Sequence, residues 1–170
     1  MANPSPHHHI SRQFDQELAD IRSNTLRLGG LAEDQTVLAI KALQGNDVFL
    51  AEEVIGDDRK LNHMEMSVND QCMQILARRQ PIACDLRLVM AVIKVINDLE
   101  RIGDDAKRIA RITMSMTANP PPSQKLAPIL DFGTNVVAQL HDTLDSFARI
   151  DVEAALEIKQ RDRQLDLQYG

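Results

Sequence analysis

Tryptophan is absent, tyrosine occurs once and phenylalanine four times in 170 residues. That leaves no aromatic platform on which bases could stack. Positive charge is also short. Nineteen lysines and arginines stand against 25 aspartates and glutamates, a net charge of −6. Nucleic acid needs a basic field and is excluded as the main partner. The two cysteines, Cys72 and Cys84, form no C-x-x-C pair. Neither a disulfide framework nor a zinc knuckle is expected, and both read as small buried thiols in a reducing cytosol. Long apolar runs are missing too. The most apolar stretch, Leu86 to Ile96, contains Arg87 and Lys94 and falls short of the ~20 apolar residues of a membrane span. Met1 to Ile10 lacks the apolar core of a signal peptide. There is no glycine-rich phosphate loop, no nucleophile elbow and no serine–histidine–aspartate arrangement. The expectation is a cytoplasmic protein that is not an enzyme.

Proline and glycine occur seven times each and are clustered. Pro4 and Pro6 mark a loose start, which gives a disordered tail over residues 1–9. Gly45-Asn46-Asp47 reads as a helix stop followed by an N-cap. Pro81 and the run Pro120-Pro121-Pro122 interrupt the rest. Helices are therefore expected near 10–44, 47–79, 83–117, 124–149 and from 151 onward. Their apolar periods agree. Helix four reads Leu126, Leu130, Gly133, Val137, Leu140, Leu144, Phe147, in alternating steps of four and three. Helix three carries two seams, one through Leu88, Val92, Val95 and Leu99, the other through Leu86, Val89, Ile93 and Ile96. A helix apolar on two faces packs between neighbours. The fold class is all-α, an up-and-down antiparallel helical bundle.

An internal repeat lies at an offset of 104 residues. Gly29 matches Gly133, Gln35 matches Gln139, Asp47-Val48 matches Asp151-Val152, and Asp58-Arg59 matches Asp162-Arg163. Helices four and five thus repeat helices one and two, and no counterpart of helix three is found. The expected organisation is a tail (1–9), a first three-helix repeat (10–118), a proline-rich linker (119–125) and a partial second repeat of two helices (126–170). The uncovered seams of the second repeat predict self-association.

Acids sit where the pattern assigns core. The helix-two seam runs Ala51, Val54, Asp58, Leu61, Glu65, Val68, Cys72, Ile75. Asn62 lies one turn from Asp58, Asp104 one turn from Glu100, and Asp166 one turn from Asp162. Three explanations compete. The acids pair with neighbours such as Arg59, Lys60, Arg101 and Arg108; or they lie on a wet rim; or they bind a hard cation through facing carboxylates. Glu-x-x-His is absent, which argues against a ferritin-type di-iron centre.

The run Ala77-Arg78-Arg79-Gln80-Pro81-Ile82-Ala83-Cys84-Asp85-Leu86-Arg87 resembles the signature between the second and third helices of PhoU proteins. Asp98-Leu99-Glu100-Arg101-Ile102-Gly103-Asp104 resembles that family's E(D)xxxD motif, and Leu140-His141-Asp142 its fourth helix. The resemblance implies two three-helix bundles in tandem, the second incomplete here. It implies a cytoplasmic negative regulator of the bacterial phosphate-starvation regulon. Such a regulator would connect the ATPase subunit of the phosphate ABC transporter with the sensor histidine kinase. It would be a homodimer, and would meet the inner membrane only through its partners.

Some members of the family carry iron or zinc clusters, so the resemblance also implies a metal (Fe, Zn, Mn or Mg) at Asp58, Asn62, Glu100, Asp104, Asp162 and Asp166. Asn62 stands where the pattern has an acid, which lowers the charge available to a cluster. Arg79, Asp85, Arg87 and Arg101, four of the charged residues in the two signature stretches, are the candidate partner-binding residues. The alternatives are a carboxylate-rich metal storage or redox protein and a plain helical dimerisation module.

Overall fold

The computed structural model describes the backbone of residues 6–169 and the side chains of residues 12–163. Among the described residues there are five helices and no strand: α1 (Pro6–Gly45), α2 (Val48–Arg79), α3 (Ala83–Met116), α4 (Ser123–Arg149) and α5 (Val152–Tyr169). The interior boundaries fall within a residue of those expected from the sequence. Two differ. α1 starts at Pro6 and not at Ile10, because proline suits the first turn: its φ is already helical and its missing N–H would have no partner there. The proline-rich linker is shorter than 119–125, since Ser123 already opens α4 and Lys125 N–H donates to Pro122 O at 2.9 Å.

The chain divides into two units. The first comprises Met1–Ala32 and Arg59–Ile102. Its core takes Ile21 and Leu28 from α1, Leu61, Val68, Cys72 and Ile75 from α2, and Val89, Val92 and Ile96 from α3. These are the residues that the three–four spacing places inward, and each large one contributes about 1.5–3 kcal/mol on burial. Burial pushes the Cys72 thiol up to about 11. Cys84 departs from expectation. It is exposed, because it lies in the first turn of α3 beside the connection.

The second unit comprises Glu33–Asp58 and Gly103–Gly170. Here the core is built of small residues: Ala39 and Ala42, Ala51 and Val54, Ala106 and Ala110, two from each of α1, α2 and α3. Small side chains let helix backbones approach closely. α4 packs on α5 and also rests against α1. A Cβ at Gly133 would lie 2.9 Å from Ile40 Cδ1, and His141 Nδ1 lies 3.0 Å from Glu33 Oε1. Part of the α4 seam expected to be uncovered is thus covered by the chain's own first helix.

The repeat reappears in hydrogen bonding. α1 and α4 both end on a left-handed residue, Asn46 at φ 50° and Ile150 at φ 55°. Their N–H groups donate to Leu43 O and Phe147 O at 3.4 and 3.3 Å. The next residues, Asp47 and Asp151, donate to Ala42 O and Ser146 O, each at 2.9 Å. This is the paired closure of orphan carbonyls at a helix end. Both aspartates then cap the following helix. Asp47 Oδ1 accepts from the N–H groups of Phe49 and Leu50 at 2.9 and 3.1 Å, and Asp151 Oδ1 from Ala154 N–H at 3.0 Å.

Asparagine tolerates the left-handed region, but a β-branched residue there is strained. Ile150 is also 68% exposed, so little packing is lost on truncation. Ile150→Gly should stabilise the protein by about 1 kcal/mol, the steric relief (~1–2) less the entropy gained by the unfolded chain (~0.4–1). Urea unfolding checks this; an unchanged or lower midpoint would contradict the strain.

Candidate functional site

The acids of the repeat fall into different environments. Asp58 is buried, 5% exposed. Lys107 reaches it from α3, with Nζ 2.5 Å from Asp58 Oδ2 and 3.8 Å from Asp104 Oδ1. Asp104 is exposed, and its link to Lys107 is the ordinary three-residue spacing of a helix surface. Asp58 and Asp104 belong to the second unit and are brought to one ammonium. Asn62 and Glu100 belong to the first unit, where both are half-buried. In the second repeat Asp162 is exposed and accepts from Gln139 Nε2 at 2.6 Å. The Asp166 side chain lies outside the described residues.

A metal at Asp58 would need ligand oxygens ~2.0–2.6 Å away, and Lys107 Nζ already takes that place on Oδ2. Among the described residues no three His, Cys, Asp or Glu side chains gather where they could hold a metal ion. At Asp58 Oδ2 the protein's own ammonium therefore stands where a metal would have to bind.

The candidate partner-binding residues all lie in the first unit. Arg79 is engaged internally. Its Nε and NH2 donate to Glu17 Oε2 and Oε1 at 2.8 and 2.6 Å. This fork holds the Glu17 carboxyl below the usual carboxylate range and the guanidinium above its usual value. Asp85 is half-buried in the first turn of α3, and Arg87 and Arg101 are exposed. The connection itself is contorted. Gln80 and Ala83 both have positive φ, 47° and 48°, and between them Ile82 stands 77% exposed. A small cleft of about 120 Å³ is lined by Glu17, Asp20, Ile21, Gln71, Gln74, Ile75 and Arg78. It offers carboxylates, amides and a guanidinium, but no nucleophile set beside a base.

The PhoU domain profile matches residues 25–113, which include Asp58, Lys107 and the contorted connection. The phosphate-specific transport system accessory protein PhoU of Serratia marcescens is 43% identical over 169 residues, 99% of this chain and 69% of that protein. The chain belongs to the PhoU family. The Escherichia coli PhoU is 42% identical over 95% of this chain and 66% of its own length. The crystal structure of PhoU from Pseudomonas aeruginosa superposes with a TM-score of 0.84 at 39% identity, covering 92% of this chain and 75% of that one. This chain thus spans about two thirds to three quarters of the PhoU proteins it matches.

Three residues of this PhoU chain were missed from its sequence. Lys107 was not among the cations weighed as partners for Asp58. Glu17 lies 62 residues from Arg79, beyond any local rule. Lys94 was overlooked although a signal existed: Arg87, Lys94 and Arg101 follow one another at steps of seven and are all exposed, so they share one face of α3.

The Glu17–Arg79 fork carries a pH signature. A carboxyl whose folded pKa is lowered stabilises the fold above its unfolded pKa and loses that contribution as pH falls through the folded value. Wild type should therefore exceed Glu17→Gln in urea stability at about pH 7. The difference should shrink once pH drops below the ordinary glutamate value of 4.5. A difference independent of pH would show that the ion pair is not its source.

Proposed function

We propose that this protein is an accessory regulator of phosphate transport that keeps phosphate-starvation genes off when phosphate is plentiful. It acts by binding proteins, joining the ATPase subunit of the phosphate ABC transporter to the sensor histidine kinase of the regulon. The observation that carries this reading is its identity of 41–43% over 95–99% of its length with proteins named as phosphate-specific transport system accessory proteins. The reading needs no catalytic group, and it asks no metal of the first repeat, where Lys107 holds the carboxylate.

α3 supplies a surface suited to that task. Among the described residues Arg87, Lys94 and Arg101 make no ion pair with the chain, and Leu86 and Met90 stand 39% and 44% exposed beside them. On a chain of net charge −6, this stripe fits an acidic partner face with apolar contacts. The protein works as a homodimer in the cytoplasm and reaches the membrane through its partners. No helix among the described residues is long and apolar enough to cross one.

Deleting the gene should raise expression of phosphate-starvation genes in phosphate-rich medium, and the wild-type gene should restore repression. A triple variant, Arg87→Glu with Lys94→Glu and Arg101→Glu, should fail to restore it while keeping its helical circular dichroism. Normal repression after deletion would overturn the regulatory role. Full rescue by the triple variant would remove α3 as the docking face.

A further inference from the structure

We infer that the cation belonging to the acidic seat of the first repeat is the protein's own Lys107 ammonium, and that this seat is closed to divalent metal. The inference departs from the metal that the family resemblance implies at Asp58, and it stands on the geometry of one unit of the fold.

Asp58 is a seam residue by sequence and is buried in fact, its side chain 7% exposed. Burying a carboxylate is costly unless an opposite charge meets it. Lys107 does so from α3 at 2.5 Å, with its own side chain 20% exposed. A lysine stem can lie along apolar surface while its ammonium reaches a charge.

A divalent ion on Asp58 would either share Oδ2 with this ammonium or sit on the other oxygen of the same carboxylate, two cations competing for one negative charge. Expelling Lys107 would leave the ion with too few ligands, since a hard cation takes six to eight oxygens, or about six with waters. Asp104, whose carboxylate lies 3.8 Å from the ammonium, is 56% exposed.

The second repeat supports the same reading of the position. Gln139 and Asp162, the counterparts of Gln35 and Asp58 at the 104-residue offset, are hydrogen-bonded at 2.6 Å. The repeated aspartate is met there by an amide donor from the same chain. In both repeats, a protein donor meets one oxygen of the acid.

Two measurements test this. First, wild type and Asp58→Asn are dialysed against Mn²⁺ or Zn²⁺ and analysed for bound metal. The sequence also holds three consecutive histidines, His7 to His9, and any metal they take is common to both proteins and cancels. Equal metal content is expected, and a metal ion retained by wild type and lost in Asp58→Asn would overturn the inference. Second, Lys107→Met should lower the melting temperature by several degrees, while Asp58→Asn with Lys107→Met should recover a large part of that loss, because no lone charge remains buried. Strictly additive effects of the two substitutions would mean that the ammonium does not serve Asp58, and would overturn it equally.

Discussion

A carboxylate left 5% exposed inside a helical unit must have its charge answered by the protein. Asp58 meets that demand through Lys107, a residue of the same unit. Alanines on α1, α2 and α3 form much of the core of the same unit. Breaking one half of the pair costs more than the pair ever contributed, since an unmatched buried charge is worth about 3–5 kcal/mol of instability. The pair therefore fixes which turn of α3 lies against which turn of α2. Apolar seams alone specify this weakly, because one alanine resembles another.

The same chain solves its turns twice in one way. The helix ends at Asn46 and Ile150 close their carbonyls with matching bonds, and Asp47 and Asp151 start the next helix with the same side-chain oxygen. Duplication explains this better than chance. A capping aspartate and a left-handed residue form a self-contained device that survives sequence drift around it. The drift has still left a mark, because isoleucine now occupies a conformation that suits asparagine or glycine.

Much of the architecture was legible in the sequence because helices announce themselves locally. The three–four spacing of Ala51, Val54, Asp58 and Leu61 places all four inside, and all four are buried. Membership of the PhoU family could be read from the stretch around Pro81. The partners of the charges were not legible. Periodicity gives the face of a helix on which Asp58 lies, but not which neighbouring helix meets that face, and a lysine stem extends the choice by several ångströms. The same holds for Arg79, whose carboxylate comes from Glu17 far away in the chain. Cys84 misled for another reason: composition suggests that cysteines are buried, while exposure depends on lying at a helix start beside a connection.

The contrast between the two thiols has a practical use. Cys72 is fully buried and its thiol is pushed up to about 11, so at neutral pH it offers almost no thiolate to an electrophile. Cys84 is exposed, one residue beyond the left-handed Ala83 and two beyond the protruding Ile82. The natural sequence therefore provides a single addressable position beside its signature connection. A maleimide fluorophore placed there, with no cysteine added or removed, would report by its emission and anisotropy whenever another macromolecule settles over that corner of the protein.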